Sequence, residues 1–297
     1  MKKVALNLMI VALICSAALI SYGSKEKLRE SIADDNGNVQ KSIVKVDDMT
    51  TNAKESNDNN KEDNSVDYDI DLSDYPKPTR TTAKDVPNGR TDKETADWDI
   101  KKLDVARNVS YLTEAEKDVI LELNKVRSNP KKYAELYIQP MLKYFNGNKY
   151  SEPGKITILT QEGTAAVQEC VTALSNAESI GILTPEKGLY LAAKDHAADQ
   201  SKTGQTGHVG TDGSKMSDRA KRYGDTHGAL GETISYGRNT GLGIIVQLLV
   251  DDGVPSRGHR AIIMNGTYTQ AGLSVGTHPK YGNTCVIVYA KGYTSNK

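Results

Sequence analysis

Leu189-Tyr190-Leu191-Ala192-Ala193-Lys194-Asp195-His196-Ala197 repeats its apolar residues at helical spacing, and the chain then opens into Gly207-His208-Val209-Gly210-Thr211-Asp212-Gly213. Leu189, Ala192, Ala193, His196 and Ala197 share one helical face. His196 is therefore expected as a buried, hydrogen-bonded core residue. His208 is different, because it sits in a glycine-flanked loop just beyond a helix, where binding residues concentrate. Glu232 in Gly231-Glu232, entering a strand, and His259 in the loop Ser256-Arg257-Gly258-His259-Arg260 are candidates of the same kind.

Upstream of this stretch the pattern is helical throughout. Thr113 with Glu116 makes a capping box ahead of Val119, Ile120, Leu123 and Val126. Asn129-Pro130 caps a second helix with Tyr133, Leu136, Tyr137 and Met141 on its inner face. A polar loop spans Asn146 to Gly154, and Thr160 caps a third helix striped by Val167, Cys170, Val171 and Leu174. Thr184-Pro185 opens the fourth, which runs to Thr203. Downstream the chain is richer in loops. Thr233 to Tyr236 reads as a strand, Thr240 precedes an amphipathic helix over Ile244 to Val250, and Gly272 to Gly276 and Cys285 to Ala290 read as strands joined by a turn at 278–282. Helices followed by a few late strands predict an α+β layer fold over residues 111–297, long enough to bury a core unaided.

The remainder of the chain reads differently. Met1 to Gly23 has Lys2 and Lys3 ahead of an apolar run and small residues at its end, the pattern of an export signal cleaved before Ser24. An uncleaved anchor is the alternative, and Cys15 raises a lipoprotein, which the bulky Ile14 before it disfavours. Residues 24–110 are dominated by Lys, Asp, Asn, Ser and Thr. Such a stretch cannot offset roughly 1–2 kcal/mol per residue of backbone ordering entropy, so it is expected as a disordered low-complexity spacer.

Over all 297 residues, 38 basic and 38 acidic side chains cancel, which argues against a nucleic-acid partner. A hydrophobic content of 37% is lean for a compact domain, in keeping with a long spacer. Three cysteines are too few for a disulfide scaffold. Cys170 and Cys285, which remain once the signal is removed, either pair or serve as small buried hydrophobes.

Five histidines are present, and none has an i, i+4 partner, so the helical zinc-protease motif is absent. His227 and His278 read as exposed turn residues. Gly272-Leu273-Ser274-Val275-Gly276 spells a nucleophile elbow, but no helical pattern follows it, and Ser274 is read as a strand residue. Two imidazoles from separate loops can present lone pairs to one divalent ion, with neutral imidazole suiting zinc, copper or nickel. Neighbouring carboxylates can fix their tautomers, or the same groups can hold a water for acid–base work.

Taken in order, the helix, Gly-His-x-x-x-Asp-Gly, Gly-Glu-x-Ile, Gln-Leu-x-Val-acid-acid, Gly-His-Arg and two closing strands resemble the CAP superfamily over residues 113–293. That superfamily groups cysteine-rich secretory proteins, venom antigens and plant pathogenesis-related proteins, and the bacterial members with an SCP-like extracellular domain look closest. The resemblance implies an α-β-α sandwich with a small, mainly antiparallel sheet between helices. It also implies a cleft tetrad of His208, Glu232, Asp252 and His259, with zinc held weakly and exchangeably by His208 and His259. Thr233 and Ile262 stand where the family usually has asparagine.

The function implied is an exported, secreted or envelope-associated protein, touching membrane only through an uncleaved N-terminal segment. Its cleft ligand would be a small apolar molecule, an envelope component or a host protein. A hydrolase using His208, Glu232, Asp252 and His259 as catalytic residues, and a passive surface adhesion or scaffold module, are the alternatives.

Overall fold

The computed structural model describes residues 98–296. The export signal and most of the spacer expected from the sequence lie outside these residues. The fold begins earlier than the apolar period suggests. Trp98, Leu103 and Ala106 are buried in the core, and a short helix α1 spans Ile100–Leu103. Residues 98–110 are thus part of the folded body and not of the spacer. The indole Nε1 of Trp98 donates to the Tyr137 hydroxyl at 3.1 Å, tying this segment to the helices behind it.

Helix α2, Glu114–Ser128, starts at the expected capping box: Thr113 Oγ1 accepts from the Glu116 N–H, and the Glu116 carboxylate accepts from the Thr113 N–H. Asn129 caps α3, Pro130–Tyr133. The helix does not continue at regular α spacing. It widens into a π-helical turn, Ala134–Ile138, and then tightens into a 3-10 turn, Gln139–Tyr144. The change of pitch splits the expected inner stripe. Tyr133, Ala134 and Ile138 are buried, whereas Leu136 is 38% exposed and faces a cleft together with Tyr137 and Met141.

The stretch expected as a polar loop is a small antiparallel meander of β1 (Phe145–Asn146), β2 (Lys149–Tyr150) and β3 (Ile158–Leu159). Thr160 bonds to the Asn148 carbonyl and caps nothing; α4, Thr164–Asn176, starts instead from Gly163, whose φ of 60° favours glycine. Thr184-Pro185 forms a two-residue strand, β4, before α5, Lys187–Thr203. Helix α6 (Met216–Lys221), β5 (Gly224–Thr226), β6 (Leu230–Tyr236) and α7 (Gly241–Val250, capped by Thr240) follow. The chain closes with α8 (Gly258–Ile263), β7 (Gln270–His278), β8 (Gly282–Ala290) and β9 (Tyr293–Ser295).

The central sheet has the order β4-β7-β8-β6, antiparallel except for the β4–β7 pair. Strand β8 is buried on both faces and shows the period of two that a layered fold requires. Cys285, Ile287 and Tyr289 join the core with α2, α4 and α7, while Val286, Val288 and Ala290 pack with α5 and α6. This is the α-β-α sandwich expected from the sequence.

Helix α5 lies close against β7. A Cβ placed on Gly272 would stand 2.0 Å from the Tyr190 backbone nitrogen, so only glycine allows the approach. The elbow-like Gly-x-Ser-x-Gly is therefore a packing feature, and Ser274 is a buried strand residue. Cys170 and Cys285 are both free and buried. Burial pushes the Cys170 thiol up to about 11 and that of Cys285 higher still.

Candidate functional site

The loop after α5 delivers His208 to one end of a cleft. Its Nδ1 lies 2.9 Å from Glu232 Oε1 on β6, and because a carboxylate only accepts, Nδ1 carries the proton. The other carboxylate oxygen, Oε2, accepts from Arg219 of α6 at 2.8 Å, and the same guanidinium donates to the His208 and Ser214 carbonyls. Arg219, Glu232 and His208 are 1%, 5% and 8% exposed, which makes this a buried charge-assisted network. Burial alone would raise the Glu232 carboxyl. The hydrogen bond from His208 and the Arg219 guanidinium overcome it and hold the group below the ordinary carboxylate range.

A second pair is built at the far side of α7. His259 stands in the first turn of α8, where the sequence suggested a loop. Its Nδ1 and its backbone N–H both donate to one carboxylate, at 2.6 and 3.0 Å. That carboxylate is Asp251, not Asp252. Helix α7 ends at Val250 and Asp251 adopts a left-handed conformation with φ 55°, which accompanies its turn inward. The next residue, Asp252, also lines the cavity, but its carboxylate accepts the backbone N–H groups of Gln161 and Glu162 ahead of α4, at 2.8 Å each. Arg257, also left-handed at φ 52°, grips Glu162 through two nitrogens at 2.6 Å and donates to the Asp251 carbonyl.

Of the four residues expected in the tetrad, the structure thus forms one His–acid pair from His208 and Glu232. It pairs His259 with the neighbour of the fourth. Asp251 was adjacent to the expected position; the reversal of chain direction at a helix end is invisible to residue spacing. Arg219 was missed altogether, because a lone arginine in a polar stretch reads as solvent-facing.

Among the other histidines, His196 is buried and its Nε2 meets the Gly207 carbonyl at 2.8 Å, as expected. His227 is exposed. His278 is not an exposed turn residue: it is 2% exposed, with Nε2 at 3.1 Å from the Gln205 carbonyl and Nδ1 accepting the N–H groups of Lys280 and Tyr281. The turn folds back over its ring, which accounts for its burial.

Between the pairs and the meander runs a cavity of about 420 Å³. His208, His259, Asp251, Gln247 and Tyr236 line it, and so do Leu136, Met141, Phe145, Ile158, Val167, Leu242 and Val246. Glu152 and Lys155 of the meander and Arg238 also line it, so the cavity combines apolar walls with several polar groups, the usual make-up of a small-molecule site. Among the described residues, no three His, Cys, Asp or Glu side chains converge where a metal could sit. His208 and His259 could offer a cation at most two imidazole donors. That falls short of the three protein ligands of a catalytic zinc centre.

The model of the cysteine-rich secretory protein family, CAP, matches residues 124–289, more than half of the chain. The chain belongs to the CAP family. Two solved structures are similar to parts of it. One is an outer surface protein of Borrelia burgdorferi, 17% identical, covering 37% of this chain and 78% of its own, with a TM-score of 0.32. The other is an extracellular SCP-domain protein of Bacillus anthracis, 20% identical, covering 38% of this chain and 35% of its own, with a TM-score of 0.30. No curated protein gives a significant match. Among the described residues of this CAP domain, no helix is long and apolar enough to cross a membrane.

Proposed function

We propose that the CAP domain binds a small apolar molecule in its cleft, with the His208–Glu232 and His259–Asp251 pairs forming the polar end. The observation that carries this reading is the apolar wall that Leu136, Met141, Phe145, Ile158, Leu242 and Val246 give the cleft, with Leu136 left 38% exposed. Apolar side chains left on a concave wall are stabilised by an apolar occupant. Burial of each methylene contributes about 0.8 kcal/mol, so affinity within an alkyl series should rise about fourfold per carbon until the cavity is full.

Titration of the full chain with a homologous alkyl series tests this, with Met141→Lys as the comparison. A rise to a plateau that Met141→Lys abolishes supports the reading; a flat response across the series removes it. In line with the export signal read from residues 1–23, the domain acts outside the cytoplasm, in the cell envelope or beyond. Its two imidazoles hold zinc weakly and exchangeably, and the carboxylates orient the rings.

A further inference from the structure

Gly207, the residue ahead of His208, is held from three directions. The Gly207 carbonyl accepts from His196 Nε2 and from Gln200 Nε2, both at 2.8 Å, and the Gly207 N–H donates to the Tyr236 hydroxyl at 3.1 Å. The Gln200 amide has one permitted orientation. Its Oε1 accepts from buried Thr284 at 3.0 Å; turned over, it would set oxygen against the Gly207 carbonyl oxygen. Gln200 Nε2 therefore also donates to the Tyr236 hydroxyl, at 3.0 Å.

Tyr236 thus receives two hydrogen bonds on its phenolic oxygen. Its own proton then has to point elsewhere. Among the described residues no acceptor takes it, since the hydroxyl's partners there are the two donors just named. The ring is braced by His278 and Tyr281, with centroids at 5.3 and 5.4 Å, and it lines the cleft beside His208.

We infer that the Tyr236 hydroxyl donates a hydrogen bond to an acceptor oxygen on the cleft's ligand. The ligand class is then an amphiphile: an alkyl or comparable apolar body against Leu136, Met141, Leu242 and Val246, and a carboxylate, carbonyl or hydroxyl oxygen at the histidine end. This rests on the cleft-binding reading and adds a requirement to it. Tyr236 discriminates between ligands by head group, whereas the apolar wall discriminates by length.

The test compares decanoate with decyltrimethylammonium, two ligands with the same alkyl body, on the full chain and on Tyr236→Phe. Decanoate should weaken about tenfold in Tyr236→Phe, the scale of a lost hydrogen bond to a charged group, with decyltrimethylammonium unchanged. Equal weakening of both would show that the hydroxyl only braces the Gly207 peptide, and no change in either would show that it donates to nothing; each overturns the inference while leaving cleft binding intact. Failure of the wild type to bind either probe would remove the cleft reading and this one with it. If Tyr236→Phe does not fold, replacing Tyr236 by 3-fluorotyrosine, a more acidic phenol, should tighten decanoate selectively, and an unchanged affinity overturns the inference.

Discussion

Asp251 accepts from both the backbone N–H and the Nδ1 of His259, at 3.0 and 2.6 Å, so one carboxylate fixes the position of that residue and the tautomer of its ring. Truncation at this position strands two buried donors. Asp251→Ala is expected to cost about 2–4 kcal/mol in urea unfolding and to mix the His259 tautomers, visible in its ring ¹⁵N shifts. Asp252→Ala removes only an acceptor for two N–H groups ahead of α4, costs about 1 kcal/mol, and leaves the His259 ring signals in place. Reversed effects would return the cleft role to Asp252.

Arg219 and Glu232 neutralise each other out of contact with water, at 2.8 Å. Arg219→Leu leaves a buried carboxylate without its cation and should cost about 3–5 kcal/mol. Adding Glu232→Leu should recover much of that loss. A strictly additive double mutant, measured by chemical denaturation, would mean that the two residues act independently.

Stability should fall in two steps as the solution is acidified. Burial lowers the affinity of His196 and His278 for a proton. For a base depressed in the fold, stability is complete above its unfolded value of about 6.5 and declines below it, by about 1.4 kcal/mol per pH unit per group, until the folded value is reached. Glu232 is held below the ordinary carboxylate range, so its contribution is complete above about 4.5 and is lost as the pH falls through the folded value. Urea midpoints measured from pH 8 to 3 check both limbs, and a curve flat from pH 7 to 5 would contradict the first.

Gly272→Ala pushes a methyl group into the α5 backbone and should cost about 3 kcal/mol or more, beyond the usual penalty of overpacking. Ser274→Ala should leave any ester hydrolysis by the chain untouched. Loss of such activity in Ser274→Ala would revive the nucleophile reading.

Zinc should bind more weakly than at a structural site with four protein ligands. Calorimetric titration of the wild type against the His208→Ala/His259→Ala variant measures this, with binding expected to vanish in the variant. Equal affinity in the two would remove the metal from the cleft.

The sequence revealed those parts of the fold that repeat. The α5 stripe and the Thr113 capping box follow from period and local hydrogen-bonding chemistry, and the runs Gly272–Gly276 and Cys285–Ala290 were legible as strands. His208, Glu232 and His259 were legible because glycine marks each of them. What escaped depends on contacts distant in the chain. Trp98 docks through Tyr137, His278 is covered by its own turn, and α6 carries a buried arginine where an apolar stripe would ordinarily announce a helix. The π-helical turn escaped too, since Tyr133, Tyr137 and Met141 keep α spacing in the sequence while the backbone does not.

Cys170 and Cys285 bear on where the protein can work. Each is a free thiol sealed in the core, and burial keeps both protonated at neutral pH. This member of a family named for its cysteines therefore needs no oxidant to complete its folded body. Dithiothreitol should leave its melting temperature where it was.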